Sequence, residues 1–522
     1  MIYYVLASLI CTGLLSQLEL KRVLMMFQQN SYRIDRYRRW LGTSHDSTSW
    51  PRLFALMVLL FSASKFCPPY LGCILVAILA VWQSINLARA KYKKPLVWTA
   101  RACRLFGVAM VLTVGIWLAT YLIFGIERVA ISLVLTYVAS HIIICAAGVI
   151  LSPVEAIIRR RYYNDAAKRL RSMPDLKIVG ITGSYGKTST KHYLHAILSE
   201  QFDTLMTPGS FNTTLGVVRT IREYLKPYNE IFIVEMGAKA RGDVKEICDL
   251  VHPTMGIITA VGPQHLESFK TIENVQNAKF ELADALPSDG VAIINNDFEY
   301  IANRTVENTD CARYAVNQKA DYRAENVKYS SHGTSFDISG PNNWHLSLST
   351  RLMGECNVSD LLAAAIAAHL LGVDDRKIAQ AIAAIEPVEH RLSVKRTPAG
   401  ITILDDAFNS NPVGSRMALE VLATFTQGQR IVVTPGMIEL GEQQYQLNHD
   451  FGQTIDKSVD IAIIVGQYNR DAITEGILAS GMLAKDKIYQ VDSFAKAQEL
   501  LVTLVKTGDT VLYENDLPDT FK

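Results

Sequence analysis

The sequence predicts an α/β protein carried behind an all-α membrane region of about five helices. Three observations lead there. Mean hydropathy is positive, +0.15, although 20% of the 522 residues are charged, so the apolar residues must be concentrated. The first 155 positions hold them, in several long runs. Beyond Asp175, short apolar runs alternate with helix-like segments, the pattern of parallel sheets with crossover helices. The length fits roughly two to four domains. A 49% hydrophobic fraction excludes intrinsic disorder. A net charge of +2, from 52 Lys+Arg against 50 Asp+Glu, excludes a nucleic-acid or other polyanion binder.

Met1 to Leu18 carries no charge before Glu19, and Leu53 to Ala88 has Lys65 as its only charge. Leu105–Phe124 and Val129–Leu151 are further apolar runs. Crossing about 30 Å of hydrocarbon takes roughly 20 helical residues. The 53–88 run is too long for one helix and breaks at Cys67-Pro68-Pro69, so it reads as a hairpin with a short first arm. Five spans result, over residues 1–160. Lys21, Arg22, Arg33, Arg36, Arg38 and Arg39 follow the first span, and Arg89, Lys91, Lys93, Lys94, Arg101 and Arg104 separate the third from the fourth. Arg159 to Arg161 follow the fifth, and the opposite loops hold little beyond Lys65, Glu127 and Arg128. Positive residues stay cytoplasmic, so the N-terminus is expected outside and everything after Arg161 in the cytosol. Met1–Leu18 lacks the basic start and small-residue cleavage site of a signal peptide. Eight scattered cysteines without CxxC pairs indicate neither a disulfide framework nor a zinc site. The basic, aromatic loop Gln28 to Trp40 reads as a juxtamembrane anchor to anionic lipid, or as a contact for a phosphorylated or lipid-linked substrate.

Past the membrane region the strands KIVGIT, IFIVEMG, MGIITAV and VAIINND come first, then ITILDDAF, RIVVTPG, IAIIVG and TVLYEN. They suggest two α/β units, 174–388 and 389–522, dividing near Pro387 to Arg391. Alternation in FDISG and WHLSLST suggests a small antiparallel insertion between Cys311 and Leu352. The strongest local signal is Gly180-Ile-Thr-Gly183-Ser184-Tyr185-Gly186-Lys187-Thr188-Ser189, after the strand KIVGIT and opening a helix. Such glycines let backbone N–H groups close around phosphate oxygens, and the helix N-terminus adds positive potential. Lys187 would reach the β/γ-phosphates of ATP and the Thr188 hydroxyl would bind Mg2+. Glu235 ends the strand IFIVE, at the carboxyl edge where such sheets bind ligands. His265 follows MGIITAV, which makes it a metal-ligand candidate. Lys279, on the helix Asn274 to Leu286, reads singly as a surface charge.

Together and in this order, "GITGSYGKTSTK", "FNTTLGV", "VEMGA", "QHLESF", "NAKFEL", "LDDAFNSNP" and "GMIELGEQQYQLNHDFG" resemble the Mur ligase family. The branch most resembled adds D-alanyl-D-alanine to the muramoyl tripeptide. The resemblance spans roughly Ile178 to Asp509, and it implies a P-loop central domain followed by a Rossmann-like C-terminal domain. The implied chemistry is ATP-dependent amide formation, in which a carboxylate attacks the γ-phosphate and an incoming amine displaces phosphate from the acyl phosphate. Gly183, Ser184, Tyr185, Gly186, Lys187, Thr188 and Ser189 would cradle ATP, with Asn357, Arg391, Asp406 and Asn409 contributing to the nucleotide. Thr188 and Glu235 are implied for a first Mg2+, and His265 with Lys279 for a second. Lys279 falls where the family carries a carbamylated lysine, an anionic oxygen ligand made from a cation. Lys187, His265, Lys279 and Arg391 are therefore the expected catalytic set. Asn212, Thr213, Thr214, Glu439 and His449 are expected on the substrate side.

Three departures stand out. The family's G-x-H-N-x-x-N appears as Gly354-Glu-Cys356-Asn357-Val-Ser-Asp360, and its C-terminal Lys-Gly-Ser as Glu514-Asn515-Asp516. Its first domain, which holds the UDP-sugar, is replaced by membrane helices. The apolar runs imply a multi-pass protein with the lipid bilayer as a partner, and the resemblance adds the bacterial cytoplasmic membrane, a carboxylate-bearing cell-wall precursor and an amino acid or dipeptide amine. That precursor would be lipid-linked or held by another protein at the membrane. Alternatives are a capsule ligase of the poly-γ-glutamate type, a P-loop ATPase coupled to transport, and an inactive scaffold of the same fold. Against transport, the spans offer only His141 and scattered Ser/Thr.

Overall fold

Apolar runs of twenty residues become helices here and runs of four to six become strands. A computed structural model describes residues 2–63, 67–90, 92, 94–125, 132, 134–330, 333–408, 410–455 and 458–516. Lys65, Lys91, Lys93, Glu127, Arg128 and Asn409 lie outside the described residues.

Residues Met1–Arg160 cluster as one unit. It comprises the helices Ile2–Gln29, Ile34–Ser44, Trp50–Ala63, Pro69–Arg89 and Ala100–Phe124, and the first part of Ser140–Arg171. Among the described residues, four helices are long and apolar enough to cross a bilayer: Tyr3–Gln29, Tyr70–Arg89, Ala100–Phe124 and Ser140–Arg171. The expected five thus become four by length. The hairpin's first arm is the 14-residue helix Trp50–Ala63, about 21 Å long and short of the hydrocarbon thickness. The basic segment after the first span also differs from a loop. It forms the helix Ile34–Ser44, whose Tyr37 and Trp40 are buried, so these two aromatics fill the interior while Arg33 and Arg39 stay exposed.

The sequence reading also understated the polar content of this unit. Glu19 and Arg52 are 1% and 2% exposed and ion-paired to each other. Arg52 also donates to the carbonyls of Tyr137 (2.9 Å) and Val138 (3.0 Å). Arg22 bridges Glu19 and Asp46, 2.8 Å from each, and His141 Nε2 lies 2.9 Å from Asp46. Breaking a buried pair by removing one partner costs about 3–5 kcal/mol, because the remaining charge is stranded. Arg52→Ala is therefore expected to lower the thermal stability of the detergent-solubilised chain, read as protease resistance of the helical unit during heating. An unchanged transition would show the cluster to be energetically neutral.

Residues Arg161–Asp516 form the second unit. Its first sheet contains β1 (Lys177–Thr182), β2 (Thr204–Met206), β3 (Ile231–Met236), β4 (Met255–Ile258), β5 (Val291–Asn295), β6 (Asp310–Ala315), β7 (Tyr322–Ser330), β8 (Gly333–Ser339) and β9 (His345–Thr350). Their spatial order is β2-β3-β1-β4-β5-β6-β7-β8-β9. The strands pair in parallel as far as β7, while β7-β8-β9 are antiparallel. FDISG and WHLSLST are thus not a separate insertion. They extend the sheet, because Phe336, Ile338 and Leu348 pack into the same core as the helix Glu355–Leu370. Along β1, Val179 and Ile181 enter one core while Ile178 enters the other. Burial on both faces explains why KIVGIT reads as a continuous apolar run.

The second sheet contains β10 (Ser393–Arg396), β11 (Thr402–Asp406), β12 (Arg430–Thr434), β13 (Ile461–Val465), β14 (Ile488–Val491) and β15 (Thr510–Glu514). Its order is β10-β11-β15-β12-β13-β14, with β10 the one antiparallel strand. In the first sheet the chain leaves β1 toward β3 on one side and β4 on the other. Open α/β sheets bind ligands at such a reversal, outside the carboxyl ends of the strands.

Candidate active site

The three strand ends at that reversal carry the predicted residues. After β1, Gly183 to Gly186 turn tightly into the helix Lys187–Leu198. Gly186 sits at φ 77°, and a Cβ there would lie 2.2 Å from Asp360 Oδ1, so no other residue fits without moving the loop. Ser184 N–H donates to Ala260 O at 2.7 Å, and the Tyr185 hydroxyl to Pro263 O at 3.3 Å, which ties the loop to the segment after β4. Lys187 folds back over the loop, its Nζ donating to the carbonyls of Gly183 (2.7 Å) and Ser184 (3.2 Å). Burial brings its amine down to about 8, with Glu235 opposing and Arg391 adding to the shift.

Glu235, 1% exposed, is the hub. It receives the Thr188 hydroxyl at 3.1 Å, Lys191 Nζ at 3.0 Å and Asn212 Nδ2 at 3.0 Å. Burial works to raise its pKa, but Lys191, Lys187 and Asn212 outweigh burial and hold it below the ordinary value. Lys191 is fully buried and was not among the predicted site residues. The available signal was its place four residues after Lys187, on the same helical face. Thr213 caps the helix Thr214–Glu223, and Thr214 donates to Glu246 at 2.8 Å. Both hydroxyls are thus engaged within the fold, whereas Asn212 joins the hub.

Beyond β4, His265 has φ 53° and its Nδ1 hydrogen-bonds the Glu439 carboxylate. The other Glu439 oxygen accepts from Lys239 Nζ at 3.3 Å. Lys279 is not a surface charge. It is 1% exposed on the helix Ile272–Asp284 and makes no hydrogen bond or ion pair among the described residues. Burial, with Lys187 nearby, holds its amine well below the lysine range and favours the uncharged form.

The second sheet adds Arg391, whose guanidinium lies 4.2 Å from the Phe408 ring. Asp406 accepts the Leu392 N–H at 3.1 Å, and burial raises its pKa to about 6 against the pull of Arg391. Glu514, its partner in register on β15, is raised by burial to about 7 and receives the Thr434 hydroxyl at 2.9 Å. Asn357 has both polar ends committed inside the protein, to the Tyr193 hydroxyl (2.6 Å) and Met353 O (2.7 Å). His449 stacks on Tyr445. Its neighbour Asn448, which the sequence did not single out, shapes the GMIELG loop by accepting the Met437 N–H at 2.8 Å. A cavity of 660 Å³ lies beside His192, His195, Gly209 and the linker Ile385–Glu389. It opens on the helical face next to the one that carries Lys187 and Lys191.

Asp360, where the aligned motif departs, accepts from Thr190 at 3.1 Å. Burial raises its carboxyl from 3.8 to about 8. The unfolded chain loses this proton near the lower value and the folded chain near the upper, so stability falls as pH rises through that window. Asp360→Asn is expected to gain melting temperature relative to the native chain on going from about pH 5 to about pH 8. A pH-independent difference between the two would show that Asp360 keeps an ordinary pKa.

Residues 181–368 match the family model of the Mur ligase middle domain, and residues 390–513 that of the Mur ligase glutamate ligase domain. The UDP-N-acetylmuramoyl-tripeptide–D-alanyl-D-alanine ligase of Bacillus subtilis is 27% identical over 344 residues, covering 65% of this chain and 72% of the relative. The enzyme of the same name from Escherichia coli is 28% identical over 353 residues, covering 67% and 77%. Among solved structures, MurF from Acinetobacter baumannii superposes with a TM-score of 0.63 at 26% identity, covering 69% of this chain and 77% of that one. With its phosphate loop at the sheet reversal and both domains matched in sequence order, this chain belongs to the Mur ligase family, an ATP-dependent ligase.

Proposed function

We propose that the protein is a membrane-anchored amide ligase of peptidoglycan synthesis. It would activate a carboxylate as an acyl phosphate and join it to the amine of an amino acid or dipeptide. The relatives' names specify a muramoyl tripeptide and D-alanyl-D-alanine, and these define the substrate class to test first. The observation that carries the reading is the convergence of Lys187, Thr188, Lys191 and Asn212 around Glu235, with the buried Lys279 amine, its pKa lowered, in the same part of the fold.

The residues present fit the metals that the family implies. Thr188 and Glu235 offer hard oxygen donors 3.1 Å apart, suited to Mg2+. His265 and Lys279 form a second pair once Lys279 is carbamylated. A neutral amine is the form that attacks CO2. The N–C bond forms, one proton leaves, and the product is an anionic oxygen donor. Burial without a hydrogen-bond partner lowers the Lys279 pKa and favours that neutral form. Bound Mg2+ would neutralise charge developing on the transferred phosphoryl group. Lys187 and Arg391 would hold the phosphates, and Asp406 the nucleotide. The proposed domains are 1–160 for the membrane, 174–388 for ATP and 389–522 for the amine side.

Membrane anchoring is supported by the four apolar helices and by apolar side chains facing outward on them, such as Ile10, Leu122, Ile123 and Ile142, each at least 70% exposed. We further propose that the N-terminus lies outside and that the carboxylate substrate is presented at the membrane. ADP release should require both a carboxylate and an amine. Release indifferent to any amine would count against ligation. Lys279→Ala should lose on the order of 10²–10³-fold or more of the activity, recovered in part by formate or acetate. Full activity in that variant would remove the carbamate from the mechanism.

A further inference from the structure

Two loops from different sheets meet at one carboxylate. His265, between β4 and the short helix Leu266–Phe269, and Glu439, in the loop after β12, both have left-handed backbones, at φ 53° and 62°. For residues other than glycine this costs about 1–3 kcal/mol each and persists only where the surroundings enforce it. Here the enforcement is mutual. The Glu267 N–H donates to Glu439 O at 3.1 Å, which fixes the Glu439 backbone. A Cβ on Gly441 would approach Glu267 N to 3.3 Å, so the two loops run in close contact. From that seat the Glu439 side chain splits its oxygens between His265 Nδ1 and Lys239 Nζ.

A carboxylate held by an ammonium can only accept a hydrogen bond. His265 Nδ1 must then carry the imidazole proton, and Nε2 keeps its lone pair. We infer that Glu439 is a positioning residue that sets the tautomer and ring orientation of His265 from the second sheet, leaving Nε2 available as a ligand only when the two loops are engaged. This deepens, and in its metal aspect rests on, the reading of His265 as a metal ligand. It also moves Glu439 from the substrate side, where the sequence resemblance put it, to the support of the metal side. Ligating histidines are commonly held in this way by a carboxylate on the other ring nitrogen, and losing that partner costs roughly 10–100-fold in metal affinity or activity.

The deciding measurement is the ¹⁵N signature of the His265 imidazole in the full-length, metal-free protein labelled at histidine, assigned by its disappearance in His265→Ala. The native chain should show the Nδ1–H tautomer. Glu439→Ala should shift the population toward Nε2–H, while Glu439→Gln, whose amide oxygen still accepts, should largely retain Nδ1–H. In ligation assays, Glu439→Ala should raise the Mg2+ concentration for half-maximal rate by about 10–100-fold, with a smaller change in kcat at saturating Mg2+. An Nε2–H tautomer in the native chain, or one unmoved by Glu439→Ala, overturns the inference. The ligand reading fails separately: if His265→Ala leaves the Mg2+ requirement unchanged while the tautomer follows Glu439, positioning stands and the metal role falls.

Discussion

The Glu235 carboxylate is the interaction on which the rest of the site depends. Removing an ionised carboxylate from water is expensive unless each oxygen is paired, and here Lys191, Asn212 and the Thr188 hydroxyl provide the pairing. Those partners come from the phosphate-loop helix and from the segment after β2. One buried charge at the end of β3 thereby registers three chain segments against each other. The depressed pKa of Glu235 follows from this pairing and keeps the group ionised. Lys191 pairs with one of its oxygens at 3.0 Å, which holds the carboxylate in place.

The same economy appears at the contact between the two sheets. The strands of each sheet bury their apolar residues in their own cores, and Met353 and Cys356 from the first α/β region join the core of the second sheet. The polar contacts of Glu439 with His265 and Lys239, and the field of Arg391 on Lys187, Asp360 and Glu235, couple the two sheets beside the phosphate loop. The helical unit solves a related problem with Glu19, Arg22, Asp46 and Arg52. There, ionic groups from different helices satisfy one another.

Much of the architecture was legible in the residues. Both-face burial made the parallel strands continuous apolar runs, and the glycines of the phosphate loop had to be glycines because Gly186 is left-handed and pressed against Asp360. Long-range pairing was less legible. FDISG and WHLSLST alternate as any antiparallel pair would, and nothing local says that they lengthen an existing sheet. The 14 residues of Trp50–Ala63 are mostly apolar, with Arg52 the one charge in the first turn, and composition alone does not separate a short arm from a full span. Tyr37 and Trp40 looked like interfacial aromatics until the helix they occupy turned them inward.

The amino-acid sequence by itself determined the order of elements, the phosphate loop and the family, because these depend on local periodicity, on backbone freedom at glycine and on short motifs. The tertiary structure alone decided which charges meet. Lys191 acts on Glu235 from 44 positions away and Glu439 on His265 from 174, separations at which spacing carries no information. Lys279 shows the difference most plainly: its place in the chain is that of an ordinary helical lysine, and burial beside Lys187 lowers its pKa and favours the uncharged amine. Desolvation is a property of the assembled environment, and no single stretch of sequence contains it.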